Sequence, residues 1–188
     1  MGRSVVLLSL VFLFPLGEVA LAVFRRAPLA QRRAGGGSPA VLWLLVLCGV
    51  VAGIAGTAVP AARIPGPRAL LAAVAGSLLA TGLLLRWLAV LTLGRLFTVD
   101  LAIRDGHVVV STGVYRHLRH PSYAGLLLAL VGLGVFFGNW LALAALTVPP
   151  FLALRARMRV EEQALRQALG PAYAAYCSRT RRLVPGIY

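Results

Sequence analysis

The side chains able to do chemistry gather in two short runs. The first is Arg119-His120-Pro121-Ser122-Tyr123-Ala124-Gly125. Pro121 disfavours helical geometry at His120 and is itself suited to open a helix. The run therefore reads as a loop that turns into a helix, with Arg119 and His120 just ahead of its first turn. The second run holds Arg155, Arg157, Arg159, Glu161 and Glu162. On a helix, Arg157 and Glu161 share a face, as do Glu162 and Arg166, each pair four residues apart and able to form an ion pair. Both runs have a plain reading. The first could be an interfacial anchor, with a snorkelling Arg, a belt Tyr and a helix-opening Pro. The second could be an ordinary solvated helix. Against that, Glu161 and Glu162 are adjacent and are two of only five acidic residues in the chain.

Two further charges sit inside apolar sequence: Glu18 and Arg86. Charges there are expensive and face a partner or a wet cavity. These two either pair with each other, or Arg86 lines a polar route. His107 and His117 fall in a polar loop, where histidines are usually solvated. Cys48 and Cys177 lie far apart in the chain and imply neither a disulfide framework nor a metal cluster. No metal site is expected.

The elements that must carry these residues are hydrophobic. Of 188 residues, 60% are hydrophobic and 13% charged, with a mean hydropathy of +0.86. Ordinary soluble domains carry about 25% charged residues. A transmembrane helix needs about 20 mostly apolar residues. Ser4 to Phe24, Ala40 to Val59 and Ala69 to Leu93 each qualify. Tyr123 to Leu154 is too long for one span and is interrupted at Gly138-Asn139, which predicts a tight hairpin of two short helices. The expected fold is all-α: a polytopic membrane protein of about five transmembrane helices, with a cytoplasmic C-terminal helical region. Gly49/Gly53 and Gly134/Gly138 have the spacing that allows close helix contact.

The formal charge is +14, and every basic residue is Arg. Nucleic-acid binding would need a basic face on a soluble fold. Here the arginines lie between apolar runs, where orientation signals and anionic membrane lipids explain them. With the N-terminus outside, fifteen arginines fall in the cytoplasm against Arg3, Arg63 and Arg68 outside. Arg3 and Ala20-Leu21-Ala22 resemble parts of a signal peptide, but Arg25 and Arg26 would hold that end inside, so an uncleaved span is expected. The lack of Lys, with heavy Ala, Leu, Gly and Arg usage, points to a GC-rich prokaryotic genome and its cytoplasmic membrane.

Two polar stretches remain. Gly94 to Pro121 offers a short strand at Val108 to Val110 and a turn at Ser111-Thr112-Gly113. Arg155 to Gly170 favours helix, and Pro171 can open a further helix carrying Tyr173 and Tyr176. Gly35-Gly36-Gly37 is a plausible loop. The chain thus divides into residues 1–93, the first three spans, and residues 94–188, where the chemistry is concentrated.

Taken together these runs resemble the isoprenylcysteine carboxyl methyltransferase family and its wider membrane methyltransferase relatives. The resembling pattern begins with Arg86 and Leu93-Gly94-Arg95-Leu96-Phe97-Thr98. It continues through His107-Val108-Val109-Val110-Ser111-Thr112-Gly113-Val114-Tyr115 and the run Arg119 to Gly125. It ends with Arg157, Glu161-Glu162, Leu165, Gly170, Tyr173, Tyr176 and Pro185. The match covers the last 100 residues or so; the first two spans match only in being hydrophobic. The resemblance implies an enzyme that binds S-adenosylmethionine in a cytoplasm-facing pocket. By matching positions, His107, Val109, Tyr115, Arg119, His120, Tyr123 and Glu161 surround that cofactor. Arg157 and Glu162 fall where the family places groups near the methyl acceptor. Val109 departs from a family preference for Leu, a change that a backbone contact would survive.

The implied chemistry suits these residue types. A carboxylate acceptor attacks the sulfonium methyl in line and needs no general base, so positioning and desolvation supply most of the acceleration. An Arg such as Arg157 can hold a carboxylate in bidentate fashion. Glu162 could orient that Arg or, with a phenol or thiol acceptor, act as base. The expected substrate is a lipophilic or prenylated acceptor entering from the bilayer, of isoprenylcysteine type. An alkylated phenol or pyrone, a lipid acid, a thiol or a phospholipid amine is the enzymatic alternative. A non-catalytic scaffold or transporter is the alternative of another class, although no internal repeat of the transporter kind is present.

Overall fold

The computed structural model describes residues 15–21, 39–97 and 108–188. Most of the expected first span, the Gly35–Gly37 loop, the signal-peptide reading and His107 lie outside the described residues. Within them, helical residues 15–21 (α1) precede α2 (Pro39–Gly56), α3 (Arg68–Leu93), α4 (Pro121–Phe136) and α5 (Trp140–Arg179). Short 3₁₀ turns at Pro60–Ala62, Gly94–Leu96 and Gly113–Arg116 punctuate the connections. No strand forms among the described residues. By length and composition α3 and α5 can cross a membrane, and α2 and α4 are shorter apolar helices.

The packing is that of a protein dissolved in lipid. Leu44, Leu47, Ile54, Leu84, Leu91 and Leu152 are all more than half exposed, which water would penalise and acyl chains do not. Helix contacts in that solvent rest on small residues. α3 lies along α4 through Ala75, Leu79 and Gly82 on one side and Gly125, Ala129 and Gly132 on the other. A Cβ on Gly82 would stand 2.6 Å from the Gly125 carbonyl oxygen and the Ala129 nitrogen, so the two backbones are in direct contact. Leu79, Leu126, Leu130, Leu146 and Leu154 fill the interior between these helices. α2 closes the bundle against α5, where Gly49 admits Leu146, and Gly53 admits Phe137 from the end of α4.

Of the expected glycine pairs, Gly49 and Gly53 do serve helix contact, and Gly134 abuts Leu143 across the hairpin. Gly138 does not. It has φ +63° with nothing near its missing Cβ, and it makes the turn between α4 and α5. Asn139, fully buried, then caps α5 by accepting from the Leu141 and Ala142 N–H groups, while its amide donates to the Gly56 carbonyl. One side chain thereby locks the hairpin turn to the end of α2.

Three expectations need correction. The second helix of the hairpin is not short, because nothing between Leu154 and Arg155 breaks it. α5 leaves the apolar zone there and continues as a polar helix, bending at Gly170 (φ 52°, ψ −129°), after which Pro171 opens its final stretch. Val108 to Val110 form no strand; backbone pairing occurs elsewhere, as a parallel bridge between Leu118 and Arg181. A three-residue segment with no ladder partner gains nothing from extension. Glu162 and Arg166 share a helix face, but Arg166 is exposed while Glu162 is buried among other partners.

The two intramembrane charges pair. Both Arg86 Nε and Nη2 meet the Glu18 carboxylate, and Nη1 donates to the Ser122 hydroxyl (2.9 Å) and carbonyl (3.2 Å). This buried contact ties α1 to α3 and to the first turn of α4.

Candidate active site

The site grows from the N-terminus of α4. His120 is the residue before the helix, with φ −125° and ψ 55°, outside the helical region that Pro121 disfavours for it. The imidazole is buried and lies parallel to the Tyr123 ring, centroids 5.5 Å apart. Opposite, the polar extension of α5 presents Arg157, Glu161 and Glu162 along a little more than one turn.

His120 stands between the two carboxylates. Its Nδ1 is 3.6 Å from Glu161 Oε2 and its Nε2 is 3.3 Å from Glu162 Oε1. Beyond that shared neighbour the two acids differ. Glu161 accepts from the Tyr123 hydroxyl at 2.5 Å and from Arg157 Nε at 2.9 Å. The Arg157 guanidinium lies 5.9 Å from the Tyr123 ring centroid. Glu162 is engaged by Arg119 Nε (3.0 Å), Arg182 Nε (3.0 Å) and Arg182 Nη2 (2.8 Å). Burial pushes the Glu162 carboxyl up, but hydrogen bonds from His120, Arg182 and Arg119 outweigh it and hold the group well below the usual carboxylate range. Where the sequence allowed Glu162 to orient Arg157, it is Glu161 to which Arg157 Nε donates.

The loop that carries Arg119 and His120 is held by the C-terminal tail. The Arg119 N–H donates to the Arg181 carbonyl (2.7 Å), the His120 N–H to that of Arg182 (3.0 Å), and the Arg181 N–H to that of His117 (3.0 Å). Arg119 Nη1 donates to the carbonyls of Cys177 and Thr180. The Tyr176 hydroxyl, its pKa pushed up to about 12 by burial, donates to the Tyr115 and Leu118 carbonyls. Arg182 also stacks on Tyr188, 5.5 Å from the ring centroid.

Of the residues expected from sequence, Arg119, His120, Tyr123, Arg157, Glu161 and Glu162 thus form one contiguous network. Tyr115 is buried beside it, its phenol pushed up by burial and then by the nearby Tyr176 and Glu161. Val109 is half-buried in the irregular segment leading to the turn at Gly113. Thr180, Arg181 and Arg182 were not expected. The pairing of Arg182 with Glu162 spans 20 residues and carries no local spacing signal.

The cluster mixes acceptors, cations and ring faces in one buried patch, a set that can hold a zwitterion and an aromatic group together. Residues 74–167 match the model of the isoprenylcysteine carboxyl methyltransferase (ICMT) family, the family expected from sequence. A probable protein-S-isoprenylcysteine O-methyltransferase from Oryza sativa subsp. indica is 37% identical over 108 residues, covering 56% of this chain and 56% of that one. The protein-S-isoprenylcysteine O-methyltransferase B of Arabidopsis thaliana is 38% identical over 106 residues, 55% of this chain and 54% of that one. Among solved structures, the eukaryotic intramembrane Ras methyltransferase ICMT superposes with a TM-score of 0.62 at 26% identity, covering 79% of this chain and 53% of that one. The chain spans little more than half the length of these three proteins. These relatives lend no support to the prokaryotic origin expected from composition.

Proposed function

This chain belongs to the isoprenylcysteine carboxyl methyltransferase family, and from that premise we propose that it is an integral membrane enzyme that methylates a lipophilic carboxylate with S-adenosylmethionine as donor. The observation that carries the reading is the convergence of Tyr123, Arg157, Glu161 and His120 at the start of α4, all four inside the stretch that matches the family model.

The donor set fits the cofactor. Glu161, its side chain 15% exposed against 4% for Glu162, is the more accessible acid, and the parallel His120 and Tyr123 rings give flat apolar surface. When bound, S-adenosylmethionine supplies a methyl group on a positively charged sulfonium. Tyr115, Arg119, His120, Tyr123 and Glu161 would line its place, with Val109 beside them. Arg157 holds the acceptor carboxylate: Glu161 and the Tyr123 ring fix its plane, which suits two parallel hydrogen bonds to the acid. The cofactor would supply that methyl to the carboxylate held by Arg157, a C–O bond replacing the C–S bond as the demethylated thioether leaves, and both formal charges would cancel. A dry pocket accelerates such a step because no charge is left to solvate. Glu162 acts through others, keeping Arg119 and His120 in place.

An isoprenylcysteine carboxylate is the acceptor the family points to, and a prenylated chain would reach the site from the bilayer. We assign residues 94–188 to the catalytic region, braced by residues 1–93, with the site on the cytoplasmic side as the arginine distribution indicates. Calorimetry of S-adenosylmethionine and its demethylated product with the detergent-purified chain tests the reading. Saturable binding is expected, weakened at least tenfold by Glu161→Ala and by His120→Ala. No binding by well-folded parent protein would overturn the assignment and leave a scaffold or transporter on this fold.

A further inference from the structure

At the end of the bundle away from the Glu161–Glu162 cluster, the Pro60–Pro67 linker, the start of α3 and the α4–α5 turn enclose a cavity of about 470 Å³. Its inner wall is apolar: Leu71, Val135, Phe136 and Phe137. Its mouth carries two exposed guanidiniums, Arg63 and Arg68. Neither makes an ion pair or side-chain hydrogen bond among the described residues, and the described acids Glu18, Glu161 and Glu162 are all engaged elsewhere.

The other polar groups of the cavity are already committed. The Asn139 amide donates to the Gly56 carbonyl and its oxygen caps α5, and the Thr57 hydroxyl donates to the Ile54 carbonyl at 2.6 Å. Recognition here therefore falls to charge, and the sign required is negative. The setting is a membrane interface. Trp140, 53% exposed, stands next to Asn139, and the neighbouring Ile54, Val59 and Leu70 are exposed apolar residues. Aromatic side chains of this kind sit at headgroup depth.

We propose that this cavity is a headgroup site for an anionic phospholipid of the leaflet opposite the Glu161–Glu162 cluster, its phosphate held between Arg63 and Arg68 and its glycerol and upper acyl chain lying on Leu71, Phe136 and Phe137. Two guanidiniums and an apolar wall match an anionic amphiphile. A soluble anion would use only the mouth. The site lies away from the proposed chemistry and stands independently of the proposed activity.

Quenching of Trp140 by brominated phospholipid reads out the site directly. The full chain is reconstituted in phosphatidylcholine vesicles containing brominated phosphatidylglycerol or brominated phosphatidylcholine, and the difference between the parent and Trp140→Phe isolates the Trp140 signal. Both leaflets carry the probe, so insertion direction does not matter. The expected result is a preference for phosphatidylglycerol of about tenfold or more, from two arginines at the surface. It should fall to within twofold of unity in Arg63→Gln/Arg68→Gln and be retained in Arg63→Lys/Arg68→Lys. Equal quenching by the two lipids in the parent, or a preference that survives the Gln pair, overturns the proposal. So does loss of the preference on adding inorganic phosphate at constant ionic strength, which would identify a soluble anion as the ligand. Should the Gln pair not fold, the parent and phosphate measurements still decide.

Discussion

Glu161 and Glu162 are consecutive on α5 and so point about 100° apart around its axis. That rotation is enough to give them different work. Glu162 turns toward the loop and the C-terminal tail, where Arg119, His120 and Arg182 surround it. Glu161 turns toward Tyr123 and Arg157. Their adjacency was plain in the sequence, but the division was not, since it depends on Arg182 arriving from 20 residues away. Removing the Glu162 charge leaves the half-buried Arg119 and Arg182 guanidiniums without their carboxylate, a loss of about 2 kcal/mol. Thermal unfolding of Glu162→Gln should show it; Glu161→Gln, which takes the carboxylate from the buried Arg157 guanidinium, should lose stability by a similar amount and lose cofactor affinity as well. The acid limb follows with a definite sign. Because the folded Glu162 carboxyl is held below its unfolded value, its contribution is complete above the ordinary carboxylate range. It drains away as pH falls toward the depressed folded value, so Glu162→Gln should flatten the loss of stability on acidification. A parent and variant with parallel acid limbs would show that Glu162 is not the titrating clamp. For Arg157, Lys keeps the charge but not the planar fork. Arg157→Lys should lower kcat/KM for a lipophilic carboxylate about 100-fold with little change in cofactor binding.

At the scale of elements, helices were legible wherever apolar length or a Pro or Gly boundary announced them. α3 begins at Arg68 and α4 at Pro121, within two residues of the expected limits, and the Gly138-Asn139 break is where the hairpin turns. What failed was local reading without a partner. Val108 to Val110 look extended in isolation, yet the backbone pairing went to residues 117–120 and 181–182, which share no pattern a linear scan would join. The tail is therefore an element of the site. Deleting residues 181–188 removes the acceptors of the Arg119 and His120 N–H groups together with Arg182, and should reduce cofactor binding at least tenfold while helix content stays close to the parent's. The α3–α4 contact was also invisible, because its small residues lie on two separate helices and match only across space. Gly82→Ala would press a methyl into the Gly125 carbonyl, where backbone on both sides cannot yield. A cost of about 2 kcal/mol or more is expected in thermal unfolding.

For the molecule as a whole, the question is how a bundle of lipid-facing helices holds a polar site still. The apolar interior fixes helix separations but is indifferent to small slides along the axes. The Glu18–Arg86–Ser122 contact is not indifferent, since it joins α1, α3 and the first turn of α4 at fixed heights. Ser122 lies between His120 and Tyr123, so the pair sets the position of the whole binding loop from the far side. Its members were recognisable in the sequence as charges where none should be, and their pairing was one of two open readings; the link to Ser122 needed the fold. A buried pair of this kind adds little net stability over a matched apolar pair, whereas breaking it by removing one partner is costly, about 3–5 kcal/mol. Glu18→Gln and Arg86→Met should each lower thermal stability by that order, and the double replacement should recover a substantial part of the loss. Cofactor affinity should not recover with it, because a Met at position 86 cannot hold the Ser122 hydroxyl and carbonyl. A double variant that regains both stability and binding would mean that the pair merely fills space, and that the loop is positioned by the C-terminal tail alone.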